Sequence, residues 1–268
     1  MFCLFQFLYG CIQQQEGLPI VLIGRDNASG TREFFWQQVM HKENFSENLR
    51  EKNSNGGIYL TVVQTPGAIG YVGLSYVDSN VKLLQINNIT ANVTNILAGT
   101  YPIARHLYLL TKGNATEIEQ EFIIFVQSNE GQAIVEEEGF VPLQVTTRYN
   151  ASGKQLSGFL EISGSTTVFP IIEKIKERFM TLYPNLIITV SSTGSGAGIT
   201  AVGQGTVNIA MSSRDLKEAE IDLGLVEYTI ALDGIAIIVN KENSYVNNLT
   251  LSQLQAVYEG EMTNWDTL

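Results

Sequence analysis

Residues 159–179 read FLEISGSTTVFPIIEKIKERF, and this run decides the fold class. Residues 159–162 alternate as a strand. A glycine-serine-threonine loop follows, and then Val168, Ile171, Ile172, Ile175 and Phe179 recur at helical spacing. The same order of strand, small-hydroxyl loop and helix appears twice more. Residues 186–190 (LIITV) lead into SSTGSGAG at 191–198 and a helical ITAVGQG. Residues 19–23 (PIVLI) lead into GRDNASGT at 24–31 and REFFWQQVM. A serine or threonine at a helix start caps backbone N–H groups. The helix dipole adds partial positive charge there, and glycine admits a ligand close to the backbone. Each such loop is a potential oxyanion site built from uncharged donors. The third loop adds Arg25, whose planar fork matches a tetrahedral oxyanion.

Composition narrows the class of function. The chain has 268 residues, 44% hydrophobic and 16% charged, which fits one large or two ordinary globular domains. Its formal net charge of −11 disfavours a nucleic-acid binder working through a basic face. With two histidines (His41, His106) and two cysteines (Cys3, Cys11), no metal site of His and Cys ligands is expected, and no cofactor. A nucleophilic serine hydrolase is disfavoured, because Thr193 and Asn27 stand where the first glycine of a G-x-S-x-G elbow would precede Ser195 and Ser29. A dinucleotide fingerprint is likewise incomplete, with Ile199 at the third glycine position after Gly194 and Gly196.

The remaining chain reads as α/β. Strands are expected at 67–72, 81–86, 106–111, 230–232 and 234–239, with helices at 117–127, 129–138 and 251–258. Residues 144–157 read as a polar surface linker. Residues 1–10 are apolar and uncharged, and Leu8-Tyr9-Gly10-Cys11 resembles a lipobox, so residues 1–16 read as a leader or lipoprotein tether. Seven N-x-S/T sequons, among them Asn27, fit an exported protein.

Taken together these segments resemble a known family, the substrate-binding proteins of high-affinity phosphate ABC transporters, which have a two-domain type II periplasmic-binding-protein fold. The resemblance rests on ISGSTTVFP, SSTGSGAG, GTVNIAMSSRDL, DGIAIIVN, LTLSQLQAVYEGEMTNW, PIVLIGRDNASGTREFF, TPGAIGYVGLSYV, TYPIARHLYLL and EEEGFVPL. It covers most of residues 18–143 and 160–268. The order is exchanged: here the family's second half comes first. The resemblance therefore implies a circular permutation, or a half-swapped pair of chains forming a domain-swapped homodimer. In the permuted reading, residues 144–159 join the family's old termini. Domain 1 becomes residues 99–246. Domain 2 is split into 17–98 and 247–268, with crossings near 98 and 247.

The resemblance implies inorganic phosphate as ligand and a membrane permease as partner, with no enzymatic activity and an extracytoplasmic location. It implies Ser165, Thr166 and Thr167 from one loop and Ser195 from the next. Arg25, Ser29, Gly30 and Thr31 come from the Arg25 loop, and Ser213 completes the set. Many family members carry an aspartate at the Ser213 position, whose carboxylate accepts a hydrogen bond from a protonated phosphate and so helps exclude sulfate. Its replacement by serine leaves the anion open among phosphate, sulfate, molybdate and tungstate. Asp215 and Asp233 are candidate substitutes. A remnant of a tandem duplication that binds nothing is the other alternative.

Overall fold

Apolar runs without strict alternation become buried strands, and runs of 3.6 periodicity become the helices that cover them. The computed structural model describes residues 17–268. The chain begins with β1 (Val21–Arg25), α1 (Gly30–Gln38), β2 (Arg50–Lys52), α2 (Asn55–Gln64) and β3 (Ala68–Gly73). It continues through β4 (Val81–Leu83), β5 (Gln85–Ile86), α3 (Val93–Leu97), β6 (Ala104–Lys112), α4 (Glu117–Val126) and α5 (Asn129–Glu137). After a long connection come β7 (Gly158–Gly164), α6 (Phe169–Leu182), β8 (Leu186–Ser192), α7 (Ser195–Gln204), β9 (Ile209–Ser212) and α8 (Glu218–Ile221). The last elements are β10 (Leu225–Asn240), β11 (Asn248–Leu249) and α9 (Leu251–Glu259). The reading of residues 1–16 as a leader, with Cys11 at its end, lies outside the described residues.

One mixed sheet runs in the order β2-β1-β3-β10-β6-β9-β7-β8, with β4 also on β10. Two large hydrophobic clusters divide it, and a small third one (Leu110, Ile199, Val202 and Ala210) lies under α7. The first gathers Ile23, Phe35, Ile58, Tyr71, Ile237, Tyr258 and Trp265. The second gathers Leu107, Phe122, Ile162, Ile172, Phe179, Met211 and Ile230. Residues beyond 247 return to the first cluster. There Trp265 donates from Nε1 to the Gly67 carbonyl at 2.8 Å, and the Tyr258 hydroxyl donates to the Ile23 carbonyl at 3.2 Å.

β10 is the element that joins the two. Residues 230–232 and 234–239, expected as separate strands, form one strand of 16 residues. Its first part, through Gly234, pairs with β6, and from Ile235 it pairs with β3. Ile103 packs in the first cluster and Leu107 in the second, so β6 opens in the crossover. Residues 235–239 therefore pack with the elements around Arg25, not with those around Thr166.

Other expectations change too. Residues 81–86 are not one exposed strand. Val81, Leu84 and Ile86 are buried, and β5 leaves β10 to pair with β11. The connection at 144–157 is more than a surface linker. Tyr149 packs edge-on to Phe125, with ring centroids 5.1 Å apart, and shares a 2.7 Å hydroxyl contact with Tyr183. Leu156 is buried in the second cluster. Burial and the Tyr183 and Glu121 contacts push the Tyr149 hydroxyl far above its ordinary pKa, so it stays protonated.

Candidate functional site

Three helix starts converge where the two clusters meet. Gly164, at φ +141°, ends β7 so closely against β9 that a Cβ there would lie 2.3 Å from the Met211 carbonyl oxygen. The turn after it delivers Thr166 and Thr167. The Ser165 hydroxyl accepts from the backbone N–H groups of Thr167 (3.2 Å) and Val168 (3.4 Å), so it caps its own loop. In the Arg25 loop, Ser29 is the N-cap of α1 and accepts from the Arg32 N–H at 3.2 Å. Gly30 sits against the other half, where a Cβ would fall 2.8 Å from Ser195 Cβ. Ser195 opens α7, and its hydroxyl accepts from the Ser213 N–H at 3.2 Å and lies 3.3 Å from Ser213 Oγ. The Gly196 N–H donates to the Ala28 carbonyl at 3.1 Å, tying the two loops backbone to backbone. At the rim, Lys217 pairs with Glu33 at 2.8 Å.

Arg25 is 1% exposed. Its Nε donates to the Lys52 carbonyl (3.2 Å) and its Nη2 to the Asn53 carbonyl (3.0 Å). Its Nη1 donates to Thr166 Oγ1 at 2.9 Å, across the junction. A guanidinium carries five N–H groups, so two remain for another acceptor. Burial pushes its pKa below the ordinary value while Asp26 opposes this, and arginine stays charged. The buried Tyr71 hydroxyl, pushed up to about 12 by burial, accepts from the Arg25 backbone N–H at 3.1 Å.

Three site residues were not picked out from the sequence as binding groups, or only in passing. Arg105 on β6 is wholly committed. It donates from Nε (3.1 Å) and Nη2 (2.8 Å) to Asp233 Oδ2, from Nη1 to Thr31 Oγ1 and the Ser213 carbonyl (3.0 Å each), and from Nη2 to Thr167 Oγ1 (3.3 Å). Asp233 is fully buried, and its other oxygen accepts from the Leu74 N–H at 3.1 Å. Burial raises the Asp233 pKa and lowers that of Arg105, and each partner opposes the shift of the other. The pair therefore neutralises itself, and among the described residues of the cluster Arg25 is the cation without an ion-pair partner. Asp233, named as a substitute acceptor, is spent on Arg105. Asp215, the other named substitute, accepts from the Tyr108 hydroxyl in an exposed position instead. Asn55, the first residue of α2, donates from Nδ2 to Thr167 Oγ1 at 2.9 Å and reaches Thr166 Oγ1 at 3.5 Å.

Counting donors shows what remains unspent. Thr167 Oγ1 accepts from Asn55 and Arg105, so its own hydrogen goes to Thr31 Oγ1, 3.1 Å away. Thr31 Oγ1 then accepts twice, and its hydrogen is free. Thr166 Oγ1 accepts from Arg25 and Asn55, and its hydrogen is free as well. Two hydroxyl hydrogens and two guanidinium N–H groups, drawn from both halves of one chain, lie in one buried cluster. It can bind a compact anion. It offers no free carboxylate as general base.

A family model described as a PBP superfamily domain matches residues 12–130 and 146–267. The phosphate-binding protein PstS 2 of Streptococcus agalactiae is 36% identical over 259 residues, covering 93% of this chain and 87% of that protein. This chain belongs to the PstS family of phosphate-binding proteins. A crystal structure of a phosphate-binding protein of a phosphate ABC transporter from Streptococcus pneumoniae TIGR4 is 34% identical, with a TM-score of 0.76, and covers 93% of this chain and 99% of that one. The two-domain type II fold that the resemblance implied is thereby established. PstS of Bacillus subtilis is 34% identical over 139 residues only, 51% of this chain and 46% of its own.

Proposed function

We propose that this chain is an extracytoplasmic substrate-binding protein that captures inorganic phosphate between its two lobes and delivers it to the permease of an ABC transporter. The relatives named above support the ligand and the transporter. The observation that carries the reading is the set of unspent donors around Arg25, contributed by both clusters. In this reading Arg25 supplies the charge and two N–H groups, and Thr31 and Thr166 supply hydroxyls. The helix starts at Gly30 and Ser195 supply backbone N–H groups. Thr167 orients Thr31, while Ser29 and Ser165 hold the loops and Ser213 holds Ser195. Excluding water from the cluster strengthens every one of these contacts. The lobes open at the two strand crossings, near residues 104 and 234 rather than near 98 and 247. The donor set assembles within a single chain, so exchange of halves between two chains is not needed for it. Lipidation at Cys11 would tether the protein to the outer membrane face.

Isothermal calorimetry of the purified chain with phosphate tests this directly, with molybdate and tungstate as competitors. Saturable heat and a raised melting temperature are expected. No heat and no thermal shift at millimolar phosphate would refute it.

A further inference from the structure

One polar atom of the cluster has no partner among the described residues: Asn55 Oδ1, on a side chain that is wholly buried. Leaving a buried acceptor unpaired is costly, so such an atom calls for an explanation. Its surroundings supply one. The Asn55 amide nitrogen is turned to Thr167 Oγ1 and Thr166 Oγ1, beside the unspent Thr166 hydrogen and the free N–H groups of Arg25. The cluster therefore holds a surplus of donors and one surplus acceptor that carries no hydrogen of its own. That inventory is complementary to a tetrahedral oxyanion with one protonated oxygen.

The other acceptors nearby cannot take this part. Both carboxylate oxygens of Asp233 are engaged, by Arg105 and by the Leu74 N–H. Ser213 Oγ lies against Ser195 Oγ and carries its own hydrogen, so it can serve a proton-free oxygen equally well. Only the amide oxygen of Asn55 discriminates. Toward a P–OH it accepts a hydrogen bond. Toward the oxygen of an unprotonated anion it sets lone pair against lone pair in a buried site, and its own desolvation stays unrepaid.

We infer that Asn55 is the specificity-determining residue of the site: its Oδ1 accepts the hydrogen of a monoprotonated tetrahedral oxyanion and excludes anions that have none. The inference rests on the phosphate-binding reading above. It assigns to α2, in the lobe of Arg25, the discrimination that a carboxylate at the Ser213 position would otherwise perform. It also puts arsenate, which carries a proton at neutral pH, with phosphate and sets sulfate apart.

Calorimetric affinities for phosphate, arsenate and sulfate, on the whole chain and on Asn55→Ala and Asn55→Asp, test it. The unaltered protein should bind phosphate and arsenate alike and sulfate at least about a hundredfold more weakly. Asn55→Ala should lower the phosphate-to-sulfate ratio at least about tenfold. Asn55→Asp, which keeps an acceptor, should preserve or raise the ratio. If the unaltered protein binds phosphate and sulfate equally, or if Asn55→Ala weakens both anions by the same factor, the inference is overturned while phosphate binding stands. If phosphate does not bind at all, the functional reading itself fails. Should Asn55→Ala not fold, the sulfate comparison on the unaltered protein and the Asn55→Asp ratio still decide.

Discussion

Gly30→Ala separates closure from folding. Gly30 is the first residue of α1, where alanine is the better helix former by up to about 1 kcal/mol. Its lobe should fold at least as well as before. The obstacle is across the junction. An added Cβ would meet Ser195 Oγ at 2.3 Å, which a rotamer change relieves, but also Ser195 Cβ at 2.8 Å, which none does. Restoring an ordinary carbon contact of about 3.5 Å moves the two loops apart by roughly 0.7 Å. Three contacts that span the junction then stretch past hydrogen-bonding range. These are Arg25 to Thr166 at 2.9 Å, Thr31 to Thr167 at 3.1 Å, and Gly196 N–H to the Ala28 carbonyl at 3.1 Å. At about 1 kcal/mol each, the closed form loses about 3 kcal/mol, a fall of about a hundredfold in phosphate affinity. Calorimetry should show that fall, and the melting temperature without phosphate should hardly change. Adding Ser195→Gly removes the obstructing carbon and should recover part of the loss, read as a coupling term in the double-mutant cycle. Phosphate affinity of Gly30→Ala within about threefold of the parent would refute the closure argument.

Arg25→Ala should weaken phosphate binding by at least about a hundredfold, and Arg25→Lys nearly as much, because a lysine cannot hold the Lys52 and Asn53 carbonyls while presenting two parallel N–H groups; calorimetry with affinity retained in the lysine variant would show that geometry is unimportant. Asp233→Asn leaves Arg105 buried without its counter-ion and should cost about 3–5 kcal/mol in urea unfolding, and a loss under about 1 kcal/mol would contradict the neutralised-pair reading. Glu220 is subject to burial that would raise its pKa, but its two bonds from Arg214 at 2.6 and 2.7 Å and the Lys217 N–H more than offset this and hold it below the ordinary glutamate value. A depressed carboxylate stabilises the fold above its unfolded value and loses that contribution as pH falls through the folded one. Urea midpoints from about pH 6 to about pH 3 should therefore drop less steeply in Glu220→Gln than in the parent, and parallel curves would exclude the pair as an acid-sensitive element.

The elements that were legible in the sequence are those whose period is unambiguous. Ile171, Ile172, Ile175 and Phe179 define the inner face of α6, and all four are buried in the second cluster. β10 was read as two strands because Asp233-Gly234 interrupts its apolar run, and an aspartate with a glycine normally marks a turn. It remains a strand because Arg105 neutralises the aspartate from β6. α2 escaped notice for a related reason. Its sequence NGGIYLTVVQ has two glycines in its first turn and is rich in β-branched residues, both poor helix signals. Its formation depends on the Ser54 cap and on burial of Ile58 and Val62. With the helix went its first residue, Asn55. Arg105 did carry a signal: it directly precedes the run HLYLL, and a charged side chain drawn into the core with such a strand is seldom buried without a partner.

An exchanged order of halves, as the resemblance implies, has a physical reason to be harmless. The site needs the starts of α1, α6 and α7 to meet at the boundary between two clusters. Nothing in that geometry depends on which half the ribosome makes first. What it requires is continuity through the crossover, and this lies inside each unit: the chain passes from Ile103 into β6 and on to Leu107, and β10 from Ile230 to Ile235. The join at residues 144–157 is held by Tyr149 and Leu156 against the second cluster. Such a join tolerates cutting and splicing because its loop-closure cost changes slowly with length. Any chain order that keeps β6 and β10 continuous through the crossover has to preserve one thing, the cluster around Arg25.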